Sequence, residues 1–442
     1  MTTQTRLALT LACVELLGLA PLAGQTDSLV VRETARPCAN MRQRPDPDAR
    51  VKACLPPATR VLEIGVAPFW RKVRLADWRT GWVSKQALEQ VTRAAPATPL
   101  GVSPTTPVTP PATVLPTDDH WLEVHVVDVG QGDGIWIHTP DDGLPDNGIF
   151  DGRNIVIDGG PDGSDGRNQI YHYLQPQAPE GAIIDALIVT HPHDDHYPGA
   201  QSILRHYQVR DYYDPGYPSR SSKYLSFRRD VAAERADGQH IVQHIGRAQF
   251  GQPDWGRELQ VRFLYAYDST AALGSGNTRV NNASVVLRIV YGTQSFLFMG
   301  DAEGKERANR PDAARYVERW LLDSVAPADL MSTVLKVAHH GSETSSTLPF
   351  IRAVDPRVVI VASGRRKYGP RFLPDSSTLR RYCDQSAGIR IYRTDQDDAA
   401  EGRTAATDAD GDHILIRTNG TVLLVDALSA GTRVTPTACD VN

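Results

Sequence analysis

Directly after the apolar run Ala182 to Val189 the chain reads Thr190-His191-Pro192-His193-Asp194-Asp195-His196, so five metal-ligand side chains fall within six residues. Alternate side chains of an extended segment point the same way, which lets His191 and His193 grip one cation together. Asp195 and His196 then face a second cation beside it. Imidazole with carboxylate suits zinc or a harder transition ion such as manganese. Two further signals stand at the ends of apolar runs: Phe298-Met299-Gly300-Asp301, and Val337-Ala338-His339-His340-Gly341-Ser342. Strand ends project to one rim, so all three signals can converge there. Asp301 can bridge two cations, and either His339 or His340 can close the second site. Two cations that share a carboxylate activate water for hydrolysis. In that scheme Asp195, His196 and Asp301 carry the catalysis.

The elements needed to hold such a rim are present. The chain has 442 residues, a formal charge of -5, 41% apolar and 22% charged residues, enough for two or three domains and a sizeable core. That charge excludes a generally basic nucleic-acid coat, though not a local groove. No charge-free apolar stretch of about 18 residues exists, so no transmembrane segment is expected. Residues 1–24 read as a signal peptide, with Arg6, an apolar run from Leu7 to Leu22 and small residues at Ala20 to Gly24. Removing Cys13 with it leaves Cys38, Cys54, Cys383 and Cys439, an even number that fits a secreted or periplasmic protein. Locality favours Cys38 with Cys54 and Cys383 with Cys439. Residues 92–117 are rich in Pro and Thr and read as a semi-rigid linker. Before it, residues 28–91 show short strands at Arg60 to Ile64, Trp70 to Leu75 and Thr80 to Val83, as in a small β-barrel. After it, residues 118–430 alternate strand-like and helical runs, an α/β pattern of sheets covered by helices.

Between Arg205 and Arg229, six basic residues interleave with Tyr212, Tyr213, Tyr217 and Tyr224. A second basic stretch holds Arg365, Arg366, Lys367 and Arg371. Arginine binds phosphate bidentately and aromatic rings stack bases, so these segments suit a phosphodiester substrate, DNA among the candidates. Asp408-Ala409-Asp410-Gly411-Asp412 lacks the glycine a calcium loop needs and reads as a turn.

The motifs Asp128-Val129-Gly130-Gln131-Gly132-Asp133, Ile157-Asp158-Gly159-Gly160, Thr190 to His196, Asn281 to Leu287, Phe298 to Asp301 and His339 to Ser346 resemble, in order, those of the metallo-β-lactamase superfamily. Within it they resemble the soluble hydrolase domain of competence DNA-uptake proteins, in a stand-alone secreted version. The resemblance implies an αββα sandwich with two divalent ions, zinc or manganese, at one edge. It implies His191 and His193 on the first ion, Asp195 and His196 on the second, Asp301 between them, and His340 before His339 as the last ligand. Asp158 would support the His loop from behind. Where many members place a third His, this chain has Asn281 and Asn282, and no His follows Tyr368. Ser342 and Lys367 are the remaining substrate or supporting candidates. Residues 38–45 with 70–83 resemble the bacterial SH3-like domain, which implies a small β-barrel and cell-wall binding. Together these readings favour a secreted phosphodiesterase or nuclease. An esterase for a teichoic or phosphorylcholine wall polymer, and a non-catalytic wall-binding scaffold, are the alternatives.

Overall fold

The computed structural model describes residues 28–434, apart from 33, 35–37, 48, 68, 76–79, 91–119, 142–151, 162–168, 179, 234–240, 257, 365, 369, 387, 397–410 and 430–431. The expected leader and linker lie outside these residues, as do Cys13 and Cys439. The chain separates into two compact units, Met1–Ala94 and Ala95–Asn442.

The first unit is a seven-stranded antiparallel sheet in the order Val51–Leu55, Ala39–Arg42, Thr80–Ser84, Trp70–Arg74, Arg60–Ala67, Ser28–Val31, Leu88–Gln90. Alternating residues place Val31, Met41, Val61, Val73 and Val83 in one small core. So thin a core gains from a staple, and the Cys38–Cys54 disulfide joins neighbouring strands.

In the second unit two sheets pack face to face. The larger runs Val242–Ile245, Gln208–Asp214, Ile183–Ile188, Asn154–Gly159, Gly134–His138, Leu122–Val126, His413–Thr418, Leu423–Ser429, Thr432–Val434. The smaller runs Leu259–Tyr265, Val286–Tyr291, Gln294–Phe298, Val334–Lys336, Val358–Val361, Arg390–Arg393. Ile135, Ile137, Ile155, Ile157 and Ile188 of the first interleave with Leu287, Ile289, Phe296, Phe298 and Ile360 of the second. The outer face of the smaller sheet is covered by helices Tyr316–Ser324, Leu348–Val354 and Ser376–Gln385, which bury Leu321, Phe350, Ile351, Leu379 and Tyr382. Helices Gln169–Leu174, Ala200–His206 and Ser222–Ala233 bury Leu174, Leu204 and Phe227 on the larger sheet's side. Sheets covered by helices on both sides are the layering that the alternating pattern predicts. Among the described residues no helix is long and apolar enough to cross a membrane.

Two features of this frame bring the chemistry-bearing loops to one edge. Asn154–Gly159 and Ile183–Ile188 are parallel, as are Gln294–Phe298, Val334–Lys336 and Val358–Val361, so their C-terminal ends share a rim. Helix Ala200–His206 also starts against the backbone of Gly159. A Cβ on Gly159 would lie 2.0 Å from the Ala200 nitrogen, and one on Gly199 would lie 1.8 Å from the Gly159 oxygen. Only glycine permits that approach, which pulls the His loop down onto the sheet.

Candidate metal centre

Asp158 ends its strand in the left-handed region, at φ 56°. Its Oδ1 accepts the Thr190 amide at 2.8 Å, and its Oδ2 accepts the Thr190 hydroxyl at 2.6 Å and His196 Nδ1 at 2.8 Å. The last bond fixes the tautomer of His196 and leaves Nε2 facing the cavity. His340 is fixed alike, Nδ1 donating to the Ala362 carbonyl at 2.9 Å. His191 Nδ1 lies 3.1 Å from Thr190 Oγ1 and 3.3 Å from Ser284 Oγ, so its Nε2 also points inward, 3.1 Å from His193 Nδ1.

Asp301 lies at the centre. Its Oδ2 is 3.7 Å from His191 Nε2, 3.4 Å from His196 Nε2 and 3.5 Å from His340 Nε2. Asp195 stands on the far side, with Oδ1 3.9 Å from His196 Nε2 and Oδ2 3.6 Å from His340 Nε2. Three sets of side chains therefore bring their donor atoms within 4.8 Å of one another: His191, His193 and Asp301; Asp195, His196 and His340; and Asp133, His196 and Asp301. The residues fit cations by a second test. His196 Nε2, His340 Nε2, Asp301 Oδ1 and Asn281 Oδ1 are buried and have no hydrogen-bond partner. Buried polar atoms are seldom left so without a ligand to bind.

Burial shapes the charges first. It would raise Asp301, but His340 and His196 outweigh it and hold that carboxyl well below the usual range. Burial would lower His340, yet Asp301 and Asp133 lift it to about 9. His191 drops well below its ordinary value through burial and the neighbouring His196.

His339 and His340 both sit in the left-handed region at φ 51°, a strained turn that sends adjacent imidazoles apart. His340 enters the cluster. His339 turns to the rim, 3.3 Å from Glu303 Oε1 and 3.0 Å from Thr344 Oγ1. Asn281 borders the cavity and donates to Glu303 at 2.8 Å. Ser342 lines the cavity too and accepts from Arg307 at 3.2 Å.

Asn282 stands behind the cavity in a supporting place: its amide donates to the Leu273 carbonyl and its oxygen accepts the amide of cavity-lining Glu303. Two expectations need correction. Lys367 faces away, because on the hairpin Lys367–Tyr368/Arg371–Phe372 it pairs with Phe372 while Tyr368 pairs with Arg371 on the cavity face. Tyr212, Tyr213 and Tyr224 are core residues and no stacking platform. Tyr212 and Tyr224 are fully buried and donate to the buried Asp214 at 3.0 and 2.5 Å, and Tyr213 packs in the inter-sheet core. The turn at Gly411-Asp412 donates both amides to Asp128, and Asp408 to Asp410 lie outside the described residues.

Sequence reading missed Tyr368, whose hydroxyl donates to Asp195 Oδ2 at 3.3 Å, and the buried Asp133–Lys336 pair, which lies between His340 and the Gly300 carbonyl. It also missed Glu303 and Arg307. Together with His193, Asp195, Asp301 and His339 they border a cavity of about 610 Å³.

Residues 149–269, a span that includes Thr190 to His196 but stops before Asp301 and His340, match the model described as the metallo-beta-lactamase superfamily. ComE operon protein 3 of Bacillus subtilis is 26% identical over 296 residues, 64% of this chain and 33% of that protein. The uncharacterized protein YcaI of Escherichia coli is 26% identical over 275 residues, 60% of this chain and 28% of that protein. Recombination protein 2 of Haemophilus influenzae is 28% identical over 264 residues, 59% of this chain and 26% of that protein. The chain thus spans a third or less of the length of these relatives. Its second unit is a mixed α/β assembly whose residues 149–269 match that superfamily's model, and the unit's ligand-rich edge gathers His191, His193, Asp195, His196, Asp301 and His340.

Proposed function

We propose that the second unit is a hydrolase that holds two divalent cations, zinc or manganese, and cleaves phosphodiesters, DNA or a related polymer among them. The observation that carries this reading is the place of Asp301, which shares a donor cluster with His191 and His193 while its Oδ2 lies 3.4 and 3.5 Å from His196 and His340 of the neighbouring set. His191 and His193 would hold one ion, and Asp195, His196 and His340 the other. A relative named for recombination favours nucleic acid as the substrate.

Bound cations supply an activated water and offset charge on the phosphoryl oxygens. The chain's own residues do the rest. Asp158 holds His196 in one tautomer and Thr190 in place. Asp195 stands at the cavity edge, where its carboxylate orients the attacking water and takes its proton. Tyr368 stays protonated, because burial and the Asp195 carboxylate push its hydroxyl up, and so it donates to Asp195. Arg307 is held by Asp375 through two bonds of 3.0 and 2.9 Å, which fixes Ser342 at the cavity wall.

Residues 1–24 act in this reading as a leader, 28–91 as an SH3-like module and 92–117 as a linker to the hydrolase, residues 118–430. The Cys38–Cys54 disulfide, and a second one at Cys383, support a secreted or periplasmic setting.

The full chain loaded with manganese or zinc is expected to hydrolyse bis-p-nitrophenyl phosphate and single- or double-stranded DNA. Asp195→Asn is expected to lower kcat by about 10² to 10⁴. Loss of no activity in that variant, or a wild type inert on every substrate, would overturn the reading.

A pH dependence follows. Ligands must shed protons to bind a cation. His340 titrates at about 9, so below that pH the ion-free protein carries a proton there that binding must expel. Affinity is therefore expected to rise with pH, by about tenfold per unit for each proton released, up to about pH 9. Competition with a chelator at several pH values measures it. A flat profile would mean that neither His340 nor His196, which Asp301 and Asp158 also hold above its ordinary range, is a ligand.

A further inference from the structure

The walls of the metal cavity are unequal in charge. Its floor is acidic, with Asp195, Asp301 and Glu303. One wall, Ser221, Asn277 and Thr278, is polar and uncharged. The other is the hairpin Lys367–Tyr368/Arg371–Phe372 with Arg366 before it, and the pairing register decides which side chains face in. Arg366 and Tyr368 share a face by alternation, and Arg371 lies directly opposite Tyr368, so all three line the cavity. The Arg366 guanidinium lies 5.5 Å from the Tyr368 ring centre, a cation–π contact that stiffens it without neutralising it.

Arg307, the other cavity arginine, is spoken for by Asp375. Arg366 and Arg371 are exposed, and among the described residues neither meets a carboxylate. Uncommitted guanidinium groups beside a cation site mark a place for anionic groups beyond the one being cut, because arginine forks onto phosphate oxygens. A single phosphodiester would sit at the floor and leave both arginines idle. The exposed face of Tyr368 adds a surface on which a base can stack, which a sugar–phosphate or glycerol–phosphate polymer does not need.

We propose that Arg366 and Arg371 bind the phosphates flanking the scissile one in a single strand of nucleic acid, with Tyr368 beneath a base. This rests on the hydrolase reading above and names its substrate: an oligonucleotide, in preference to an isolated phosphodiester.

The test uses the full chain loaded with manganese. Binding of a fluorescent phosphorothioate oligothymidylate is followed by anisotropy as salt is raised, beside hydrolysis of oligothymidylate and bis-p-nitrophenyl phosphate. Each phosphate contact on a single strand contributes about 0.7 to the slope of log K against log salt. The double variant Arg366→Gln/Arg371→Gln is expected to weaken binding about tenfold or more and to flatten that slope by about 1.4. Its loss of kcat/KM on oligothymidylate is expected to exceed its loss on bis-p-nitrophenyl phosphate at least about tenfold. An unchanged slope, or equal losses on both substrates, overturns the proposal. A wild type that binds with the full slope yet hydrolyses neither substrate supports the arginine arm and overturns the hydrolase reading. If wall-type glycerol phosphate polymer competes with the oligothymidylate as well as DNA does, the nucleic-acid assignment fails.

Discussion

Asp301→Ala is expected to strip the edge of both ions at once. Bound metal should fall from about two equivalents to less than one, and kcat/KM by about 10³ or more, which corresponds to about 4 kcal/mol of transition-state stabilisation. No other side chain at the edge has this reach, because Asp301 Oδ2 lies within 3.7 Å of the inward nitrogens of His191, His196 and His340. Its carboxylate is also the foremost attraction that offsets burial at His196 and His340: in the ion-free protein it favours their protonated forms, and a bound cation would replace those protons as its partner. Loss of a single ligand such as His193 should by contrast weaken one ion and leave the other. The fold should survive the change. Asp301 is positioned through its backbone amide, which donates to Ser284 Oγ at 3.0 Å, and its Oδ1 has no hydrogen bond to lose. Elemental analysis of the purified variant, with its melting curve, checks both halves. An Asp301→Ala protein that keeps two equivalents of metal would show that the two ligand sets do not share a carboxylate.

How far the sequence discloses this edge depends on distance along the chain. His191, His193, Asp195 and His196 are legible because their spacing is local and an apolar strand precedes them. Asp301 and the His339–His340 pair are legible because each closes an apolar run, and parallel strands deliver such ends to one rim. The choice between His339 and His340 is not legible, since it is made by two successive left-handed residues, a conformation that sequence pattern does not announce. The strand Gln208–Asp214 hides for another reason. Arg210 and Asp211 break its apolar pattern, although Tyr212 and Tyr213 are buried, so its tyrosines look like a surface array. Tyr368 stands in a stretch noticed for a missing histidine, and only the hairpin register turns it towards Asp195. The helices Gln169–Leu174, Ala200–His206 and Tyr316–Ser324 each bury one apolar face, and amphipathic periodicity of that kind is a local signal. The small antiparallel unit shows the three strands that its turns predict, while its other four rest on pairings between distant segments.

The partner of Asp133 is the extreme case, 203 residues away, and it carries the second large effect. Asp133 belongs to the loop after Leu122–Val126, and Lys336 ends a strand of the opposite sheet, so their ion pair clamps the two sheets beneath the metal edge. Both side chains are almost wholly buried. Gly132 makes the clamp possible: at φ 147° it lets the loop run against Asp195, whose oxygen would lie 2.2 Å from any Cβ there. Burial would raise the Asp133 carboxyl, but Lys336 leads the attractions that hold it low. Lys336→Met therefore strands a carboxylate in the interior, and breaking a buried pair in this way costs about 3–5 kcal/mol. Asp133→Asn strands the ammonium and should cost a similar amount. The double variant removes both charges and should recover most of the loss, since a buried pair replaced whole is often close to neutral. Urea unfolding followed by helical circular dichroism reads this directly, because all α-helices among the described residues lie in the second unit. Metal affinity should separate clamp from ligand support. The Asp133 carboxylate also lies 3.5 Å from His340 Nδ1, so the double variant, though stable, should still bind the second ion more weakly than the wild type. Single variants that unfold within about 1 kcal/mol of the wild type would mean that the charges are not buried as a pair. A double variant with unimpaired metal affinity would confine Asp133 to holding the sheets together.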